Sequence, residues 1–531
     1  MSKKLRIGVI DLVSQGPTKA LWARVMNANL SSIMPQAIGV WCKRAGHDIS
    51  FLCYTGFEEL DKELPKDLDL VFIGAFTEAA LLAYALSNRF RAQGAVTVLG
   101  GPHARCYPED AQKYFDYVLG FTDEAVIDDV LTDCSPHRPL GVRMSAPRHP
   151  AVVPGVQDRW ELIESTLGKA PLIKLVPMLA SLGCPYTCSF CIDSTVPYQP
   201  FDFDTMKSDL RFLLSKFKRP LVGWHDPNFG VQFDSIMDAI EDAIPPDSID
   251  FIAESSLSLL SEPHLQRMKR NGFKALLPGV ESWFELGEKS RARSIKGEEK
   301  MKRVAEHVNV LLRYVPYVQT NFVMGLDSEF GEEPFELTKR FVDLAPGAFP
   351  GYSLLTAFGA AAPINLEYQS AGRVLPFPFH FLNNHGAMNI KPKNYSWPAF
   401  YEHVIDVTRH SFSPRAIYRR IGATNAFVPK WLNVIRAISS EGYGRINYHR
   451  QIHKLLLTDH AFRDFFEQKT EVIPQFYVDR IRKDLGPIWN LLPDGALQHD
   501  QNAYLKSPVA NSAAAPVLLD IPGHSAESRV A

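Results

Sequence analysis

The 531-residue sequence lacks several features that mark other classes of protein. It has no run of 18 uncharged apolar residues, so we expect no transmembrane helix. No signal peptide precedes the first strand-like run, and we therefore expect a cytoplasmic protein. The 57 lysines and arginines nearly balance the 59 aspartates and glutamates, which gives no reason to expect nucleic acid as a partner. The seven cysteines are an odd number, which argues against a disulfide framework.

The first 133 residues alternate between short apolar runs and helical stretches. This alternation predicts an α/β fold with a doubly wound parallel sheet. The predicted strands are 5–12, 47–54, 68–76, 95–101 and 115–120. Open sheets of this kind bind ligands at the carboxyl ends of their strands. In this chain those ends carry Ser14, Gln15, Phe76, Thr77, Gly100 and Gly101.

The rest of the chain divides into four further segments. Six prolines within 134–171 favour a linker. Six strand–helix units follow within 172–390 and predict a partial (β/α)6 barrel, whose site should lie on the C-terminal face of its strands. Residues 391–505 have a helical pattern throughout, and 506–531 have the composition of a disordered tail. The predicted barrel strands are 176–183, 221–226, 249–255, 274–282, 317–326 and 352–358.

The most informative motif is a cluster of three thiols just after the first predicted barrel strand. Cys184, Cys188 and Cys191 have a CxxxCxxC spacing. Three thiolates on one tight loop can bind three irons of a [4Fe–4S] cluster, and the fourth iron is then open to a small molecule. A structural zinc site would need a fourth ligand, and none lies close by. An electron-transfer cluster would need a fourth cysteine, and no cysteine follows Cys191.

This loop, with Phe190 before its last cysteine, resembles the signature loop of the radical S-adenosylmethionine (radical SAM) superfamily. The resemblance implies that SAM binds the open iron and is cleaved by one electron from the reduced cluster. It also implies a reductase, flavodoxin or ferredoxin as the electron donor. The protein would supply ligands and a dry enclosure, while the cofactors carry the chemistry.

Four other segments match the superfamily more loosely and provide candidate contacts to SAM. WHDPNFG (224–230) corresponds to the segment near the SAM amine, with Trp224, His225 and Asp226 as candidates, although Asp226 is equally typical of a turn. PGVES (278–282) places Glu281 and Ser282 near the SAM ribose or carboxylate, and Glu254 is a similar candidate. FVMGLD (322–327) would lie near adenine, where Gly325 permits close approach. For Glu254 and Glu281, a structural salt bridge is the alternative interpretation.

The segments 34–52 and 98–111 resemble the cobalamin-binding-type domain that precedes the barrel in one subclass of radical SAM enzymes. The resemblance implies cobalamin across the strand ends named above. No D-x-H-x-x-G motif occurs within 1–133, so we expect no histidine beneath the cobalt. His103 is better interpreted as a hydrogen-bonding residue than as a metal ligand.

These observations predict an enzyme that uses a [4Fe–4S] cluster, SAM and cobalamin to methylate an unactivated carbon of a small molecule. Cobalamin-independent rearrangement, cyclisation or oxidation is the alternative reaction. A non-catalytic iron–sulfur or corrinoid-binding protein is the alternative from another class. No motif identifies the substrate.

Overall fold

The computed structural model describes residues 4–20, 23–24, 31–170 and 173–500. The predicted tail, 506–531, lies outside this described part. The described chain contains two parallel sheets flanked by helices, followed by a helical C-terminal region. This is the α/β architecture that the sequence predicts.

The N-terminal sheet has six parallel strands in the order β2-β1-β3-β4-β5-β6. Strand β1 is buried along almost its whole length, because helices cover both faces of the sheet. All five predicted strands are present. The strands are β1 (Arg6–Leu12), β2 (Asp48–Tyr54), β3 (Leu70–Ala75), β4 (Val96–Gly100), β5 (Tyr117–Leu119) and β6 (Val142–Met144). The helices are α1 (Ile33–Arg44), α2 (Leu60–Glu63), α3 (Ala80–Ala92), α4 (Pro102–Cys106), α5 (Pro108–Ala111) and α6 (Glu124–Asp133).

The segment 134–171 contains more regular structure than its prolines indicated. Strand β6 extends the first sheet by pairing with β5, and a helix, α7 (Trp160–Lys169), follows it. Arg159, just before α7, is buried and donates to Gln36 Oε1 on α1 (2.5 Å) and to the carbonyl of Pro177 (3.3 Å). This segment therefore joins the two sheets through buried contacts.

The second sheet forms the wall of the predicted partial barrel, and every pair in it is parallel. Its strands are β7 (Leu175–Met178), β10 (Leu221–Trp224), β11 (Asp250–Ala253), β12 (Phe273–Leu276), β13 (Gly279–Glu281), β14 (Tyr317–Met324) and β15 (Phe349–Leu354). Strands β12 and β13 are two halves of the predicted strand 274–282. The interruption includes Pro278, which has no amide hydrogen for a sheet ladder. A separate two-stranded ribbon joins β8 (Ser181–Leu182) to β9 (Gln199–Pro200).

Short polar side chains, Asp202 and Ser261, cap two of the helices around the barrel. Asp202 accepts from the amides of Asp204 (3.2 Å) and Thr205 (3.0 Å), and such caps satisfy amides that have no partner within the helix. The barrel helices are α8 (Phe203–Lys216), α9 (Phe233–Ala243), α10 (Glu262–Arg270), α11 (Gly297–Tyr314), α12 (Glu333–Leu344) and α13 (Pro363–Ser370). The C-terminal helices are α14 (Trp397–Ser411), α15 (Pro414–Gly422), α16 (Phe427–Ile438), α17 (Tyr443–Thr458), α18 (His460–Phe466) and α19 (Gln475–Leu485).

The C-terminal edge of the first sheet faces the C-terminal mouth of the barrel. Arg105 on α4 donates to Asp193 Oδ1 (3.2 Å) and to the carbonyl of Ile192 (2.9 Å), both in the cysteine loop. The hydroxyl of Tyr107 donates to the carbonyl of Ala357, just beyond β15 (3.1 Å). The two predicted ligand-binding edges therefore lie next to each other.

Candidate active site

The cysteine loop leaves the barrel at the end of β7 and is closed at its base by the β8–β9 ribbon. The amide of Cys184 donates to the carbonyl of Val196 across that base (3.3 Å), and the amide of Cys191 donates to the carbonyl of Cys188 (2.9 Å). Phe190 is half-buried and packs against the main core. The fold thus positions all three thiols at the barrel mouth.

The three thiols lie on one loop, and two of them accept from nearby donors. Among the described residues, no group of three or more His, Cys, Asp or Glu side chains is arranged to hold one metal ion. A [4Fe–4S] cluster does not need such convergence, because each thiolate binds a different iron. Two donors already point at the sulfurs: Asn228 Nδ2 lies 3.9 Å from Cys184 Sγ, and the amide of Asp193 lies 3.4 Å from Cys191 Sγ.

A buried ion pair lies beside the thiols. Lys289 Nζ is 2.9 Å from Glu281 Oε1, with side-chain exposures of 18% and 10%. Burial alone would lower the pKa of Lys289, but Glu281 and the thiols Cys184 and Cys188 raise it above its ordinary value. Glu281 has φ +64, a conformation that costs energy for a residue with a side chain. A Cβ at Gly279 would collide with Glu281 Oε1, so the glycine leaves room for the carboxylate to fold back.

The charges at this mouth act on one another. Burial raises the pKa of the three thiols, to about 11 for Cys188 and about 12 for Cys191, and Lys289 opposes the increase in each. Burial and the charge of Glu281 raise the pKa of Glu254, and Lys289 again opposes. Glu254 keeps exposed side-chain surface despite this crowding, as expected of a residue that lines a deep mouth. Lys289 therefore favours the ionised form of each of the three thiols and of Glu254.

The segment after β10 mainly supports the start of the cysteine loop. The carboxylate of Asp226 is buried and accepts from the amide of Ala180 (3.1 Å) and from Ser181 Oγ (2.6 Å), and burial raises its pKa to about 6. Trp224 is buried and packs against Phe229, with ring centroids 5.2 Å apart. His225 keeps exposed surface, although burial lowers its pKa to about 4. Contact between SAM and Asp226 stays a prediction.

Ser282 and Gly325 are joined by a glutamate that sequence reasoning missed. Glu329 is buried and accepts from the Gly325 amide (2.9 Å) and from Ser282 Oγ (3.3 Å). Burial raises the pKa of Glu329 to about 7. A Cβ at Gly325 would meet the side chain of Met388, so this glycine allows close packing inside the protein. Contacts from Ser282 and Gly325 to SAM remain predictions.

The predicted cobalamin residues all lie at the carboxyl edge of the first sheet. Phe76 is 55% exposed there, and a Cβ at Gly100 would have open space around it. The other four make contacts within the protein. Gln15 Nε2 donates to Glu78 Oε2 (2.8 Å), Ser14 Oγ donates to the carbonyl of Gly16 (2.8 Å), and Thr77 bonds to Cys106. Gly101 has φ +91 against the backbone of Ala75. Phe76 and Gly100 therefore offer the freest surface for a ligand.

His103 has the hydrogen-bonding role that its loop context predicts. It is fully buried, and its Nε2 lies 2.7 Å from the hydroxyl of Tyr84, which donates to Asp110 Oδ2 (2.8 Å). Burial lowers the pKa of His103 to about 3. The ring is thus a neutral part of the core beneath the sheet edge.

Two methyltransferases of Chlorobaculum tepidum (strain ATCC 49652 / DSM 12025 / NBRC 103806 / TLS) are similar in sequence. Bacteriochlorophyllide d C-12(1)-methyltransferase is 24% identical over 383 residues, which are 70% of this chain and 81% of the relative. Bacteriochlorophyllide d C-8(2)-methyltransferase is 25% identical over 322 residues, 58% of this chain and 70% of the relative. No protein-family model matches the chain.

Solved structures of two cobalamin-dependent or SAM-dependent radical enzymes have the same fold. The radical SAM methyltransferase TsrM from Kitasatospora setae, with tryptophan and a SAM analogue bound, gives a TM-score of 0.53 at 14% identity, covering 85% of this chain and 99% of TsrM. OxsB, a cobalamin-dependent SAM radical enzyme with aqua-cobalamin bound, gives a TM-score of 0.54 at 11% identity. The match covers 96% of this chain and 83% of OxsB. This chain has the fold of these cobalamin-dependent radical SAM enzymes. The resemblance and the fold class predicted from the sequence are confirmed.

Sequence reasoning missed three residues near the barrel mouth: Lys289, Asn228 and Glu329. Asn228 lies inside WHDPNFG and could have been selected there, and Glu329 would be found by extending FVMGLD by two residues. Lys289 lies in a polar segment after β13, where nothing in the sequence indicates burial.

No helix in the described ranges is long and apolar enough to cross a membrane.

Proposed function

We propose that the chain is a cobalamin-dependent radical SAM C-methyltransferase acting on a small molecule. The observation that carries the proposal is the opposition of two edges: the three thiols with Glu281 and Lys289 on one side, and the exposed strand ends of the first sheet on the other. Both relatives similar in sequence are named as methyltransferases.

The residues at the barrel mouth fit the cluster and SAM. When bound, the cluster supplies the electron for SAM cleavage, and cobalamin supplies a carrier for the methyl group. Cys184, Cys188 and Cys191 would hold the iron, and Asn228 donates toward the first of these sulfurs. Glu281 and Glu254 present acid groups for the SAM ammonium, and Lys289 presents a cation for a carboxylate. The Arg105 contacts help to close the mouth against water.

The strand ends of the first sheet fit a bulky planar ligand. Phe76 offers an exposed ring, and Gly100 leaves the backbone accessible. The loop after β1 carries Ser14, Gln15 and Gly16, none of which is a strong cobalt ligand, and His103 is committed to Tyr84. We therefore expect cobalamin to bind with its own base displaced and with no protein nitrogen beneath the cobalt.

Cobalamin binding can be tested on the reconstituted, anaerobic protein. After mixing with hydroxocobalamin and desalting, the protein should retain corrinoid. Its electron paramagnetic resonance spectrum in the cob(II)alamin state should show no hyperfine splitting from an axial nitrogen. Nitrogen splitting would contradict the binding mode. No retained corrinoid would contradict the methyltransferase assignment and favour cobalamin-independent chemistry.

Product analysis separates the reaction classes. A methyltransferase of this kind should form S-adenosylhomocysteine in proportion to methylated product, and deoxyadenosine besides. Cobalamin-independent radical chemistry would give deoxyadenosine without S-adenosylhomocysteine, and a binding protein would give neither. Because both relatives are named for bacteriochlorophyllide d, a bacteriochlorophyllide is the first substrate to test. A flavodoxin or ferredoxin with its reductase is the expected electron donor, and the cytoplasm the expected compartment.

A further inference from the structure

One surface helix of the C-terminal region has its apolar side turned outward. Helix α16 exposes Phe427, Val428, Trp431, Ile435 and Ile438 by between 36% and 73%. At about 100° per residue these five side chains fall within an arc of about 100°. We call them the α16 face. A surface helix of a globular protein ordinarily buries such a stripe against the core.

The polar residues of α16 hold the helix in this orientation. Arg436 is buried and donates to the hydroxyl of Tyr317 (2.5 Å) and to Gln319 Oε1 (2.6 Å), and its guanidinium carbon lies 3.9 Å from the ring centroid of Phe349. Arg436 also pairs with Glu441. Turning the apolar stripe inward would carry Arg436 to the surface and break these contacts. The outward orientation of the α16 face is therefore built into the packing.

Two cations with exposed surface lie on α15 and α16. Of the six lysines and arginines within 407–440, Arg409 pairs with Asp406, Arg419 with Asp343 and Arg436 with Glu441, and Arg420 is buried. Arg415 is exposed and Lys430 is half-exposed, and neither forms an ion pair with any residue that the structure describes. Tyr418, on the adjacent helix α15, is 79% exposed. Exposed Trp, Tyr and Phe beside basic groups are typical of helices that lie in a lipid headgroup layer.

We propose that the α16 face binds an anionic membrane surface, with the helix lying in the plane of the headgroups. The apolar stripe would enter the headgroup–acyl boundary, and Arg415 and Lys430 would contact anionic headgroups. A second copy of the chain fits less well. A two-fold interface would bring Arg415 and Lys430 of both copies to the same contact, where like charges repel.

Vesicle sedimentation of the full-length holoenzyme tests the proposal. It should bind vesicles of phosphatidylcholine with 30% phosphatidylglycerol, and bind pure phosphatidylcholine vesicles at least tenfold more weakly. The double variant Phe427→Ser/Trp431→Ser should lose at least tenfold in affinity for the anionic vesicles. Arg415→Glu/Lys430→Glu should lose a similar factor, and high salt should reproduce this loss.

The matched control is Phe330→Ser/Val472→Ser, which removes two exposed apolar side chains outside the α16 face. It should bind vesicles as the wild type does, and all variants should retain deoxyadenosine formation. Wild-type binding by Phe427→Ser/Trp431→Ser, or no vesicle binding by the wild type, would overturn the proposal. Light scattering that shows a dimer dissociated by Phe427→Ser/Trp431→Ser, without vesicle binding, would assign the face to a second copy.

Discussion

Replacing Glu281 by alanine is the most direct test of the proposed SAM side of the barrel mouth. The carboxylate is 2.9 Å from Lys289 Nζ. At an effective dielectric constant of about 20, two unit charges at that distance attract by about 6 kcal/mol before desolvation is subtracted. The ion pair is nearly buried, and removing one partner of such a pair costs about 3–5 kcal/mol of stability.

We expect Glu281→Ala to weaken SAM binding at least tenfold, about 1.4 kcal/mol, with the cluster content unchanged. The physical reason is the loss of an acid group for the SAM ammonium. Equilibrium dialysis with labelled SAM on the anaerobically reconstituted protein gives the affinity, and iron and sulfide analysis gives the cluster content. Thermal unfolding, recorded separately, gives the stability cost.

The control is Glu288→Ala, which removes an exposed glutamate one residue from Lys289. It should leave SAM affinity and stability unchanged. Glu281→Gln keeps the shape of the side chain without its charge, and should weaken SAM binding nearly as much as alanine. Wild-type affinity in Glu281→Ala, despite lowered stability, would show that the pair with Lys289 is purely structural and would refute the reasoning.

Three further predictions concern the cluster, the domain contact and the buried acid. Single Cys184→Ala, Cys188→Ala or Cys191→Ala variants should lose the roughly four iron and four sulfide of the reconstituted protein and all SAM cleavage, whereas alanine at the four other cysteines should leave both intact; a cluster retained in the triple variant would contradict the assignment. Gly359→Ala should lower the free energy of unfolding by about 1–3 kcal/mol, because Gly359 has φ +49 and an added Cβ would collide with the carbonyl of Cys106. The control Gly372→Ala, where Gly372 has φ +64 and open space around it, should cost less stability. Equal costs in the two variants would refute the steric argument. Because burial raises the pKa of Glu329 to about 7, the folded chain keeps a proton that the unfolded chain releases. The free energy of unfolding of the wild type should therefore fall by at most about 3 kcal/mol as pH rises from about 4.5 to 7. Glu329→Gln should remove this decrease, and an identical slope in the variant would contradict the prediction.

Strands that are buried along most of their length were predictable from sequence. Most positions of β1 and β14 are buried, and both strands appear where the pattern indicates. Strand β6 and helix α7 could not be identified in the same way. The strand has three residues, none of them fully buried, and the surrounding prolines outweigh its pattern. Its pairing with β5 depends on tertiary contact.

Residues of the candidate site were predictable where they lie close together in the sequence. The three thiols are close together along the chain, so their loop could be read directly. Lys289 is eight residues from Glu281, and their contact depends on the left-handed backbone of Glu281 and on the room left by Gly279. Neither condition is visible as a pattern. The same holds for Asp226, whose role depends on where Ala180 and Ser181 lie.

The hydrogen bonds from Arg105 to the cysteine loop couple the N-terminal sheet energetically to the barrel. The guanidinium bonds Ile192 and Asp193, which directly follow the last thiol. Any ligand that orders this loop therefore strengthens the contact between the first sheet and the barrel. By thermodynamic reciprocity, the contact increases the affinity for that ligand by the same factor. Binding of the proposed cluster and the contact of Arg105 with the cysteine loop would thus be two parts of one equilibrium. Loss of the proposed cluster would, by the same reasoning, weaken the contact between the first sheet and the barrel.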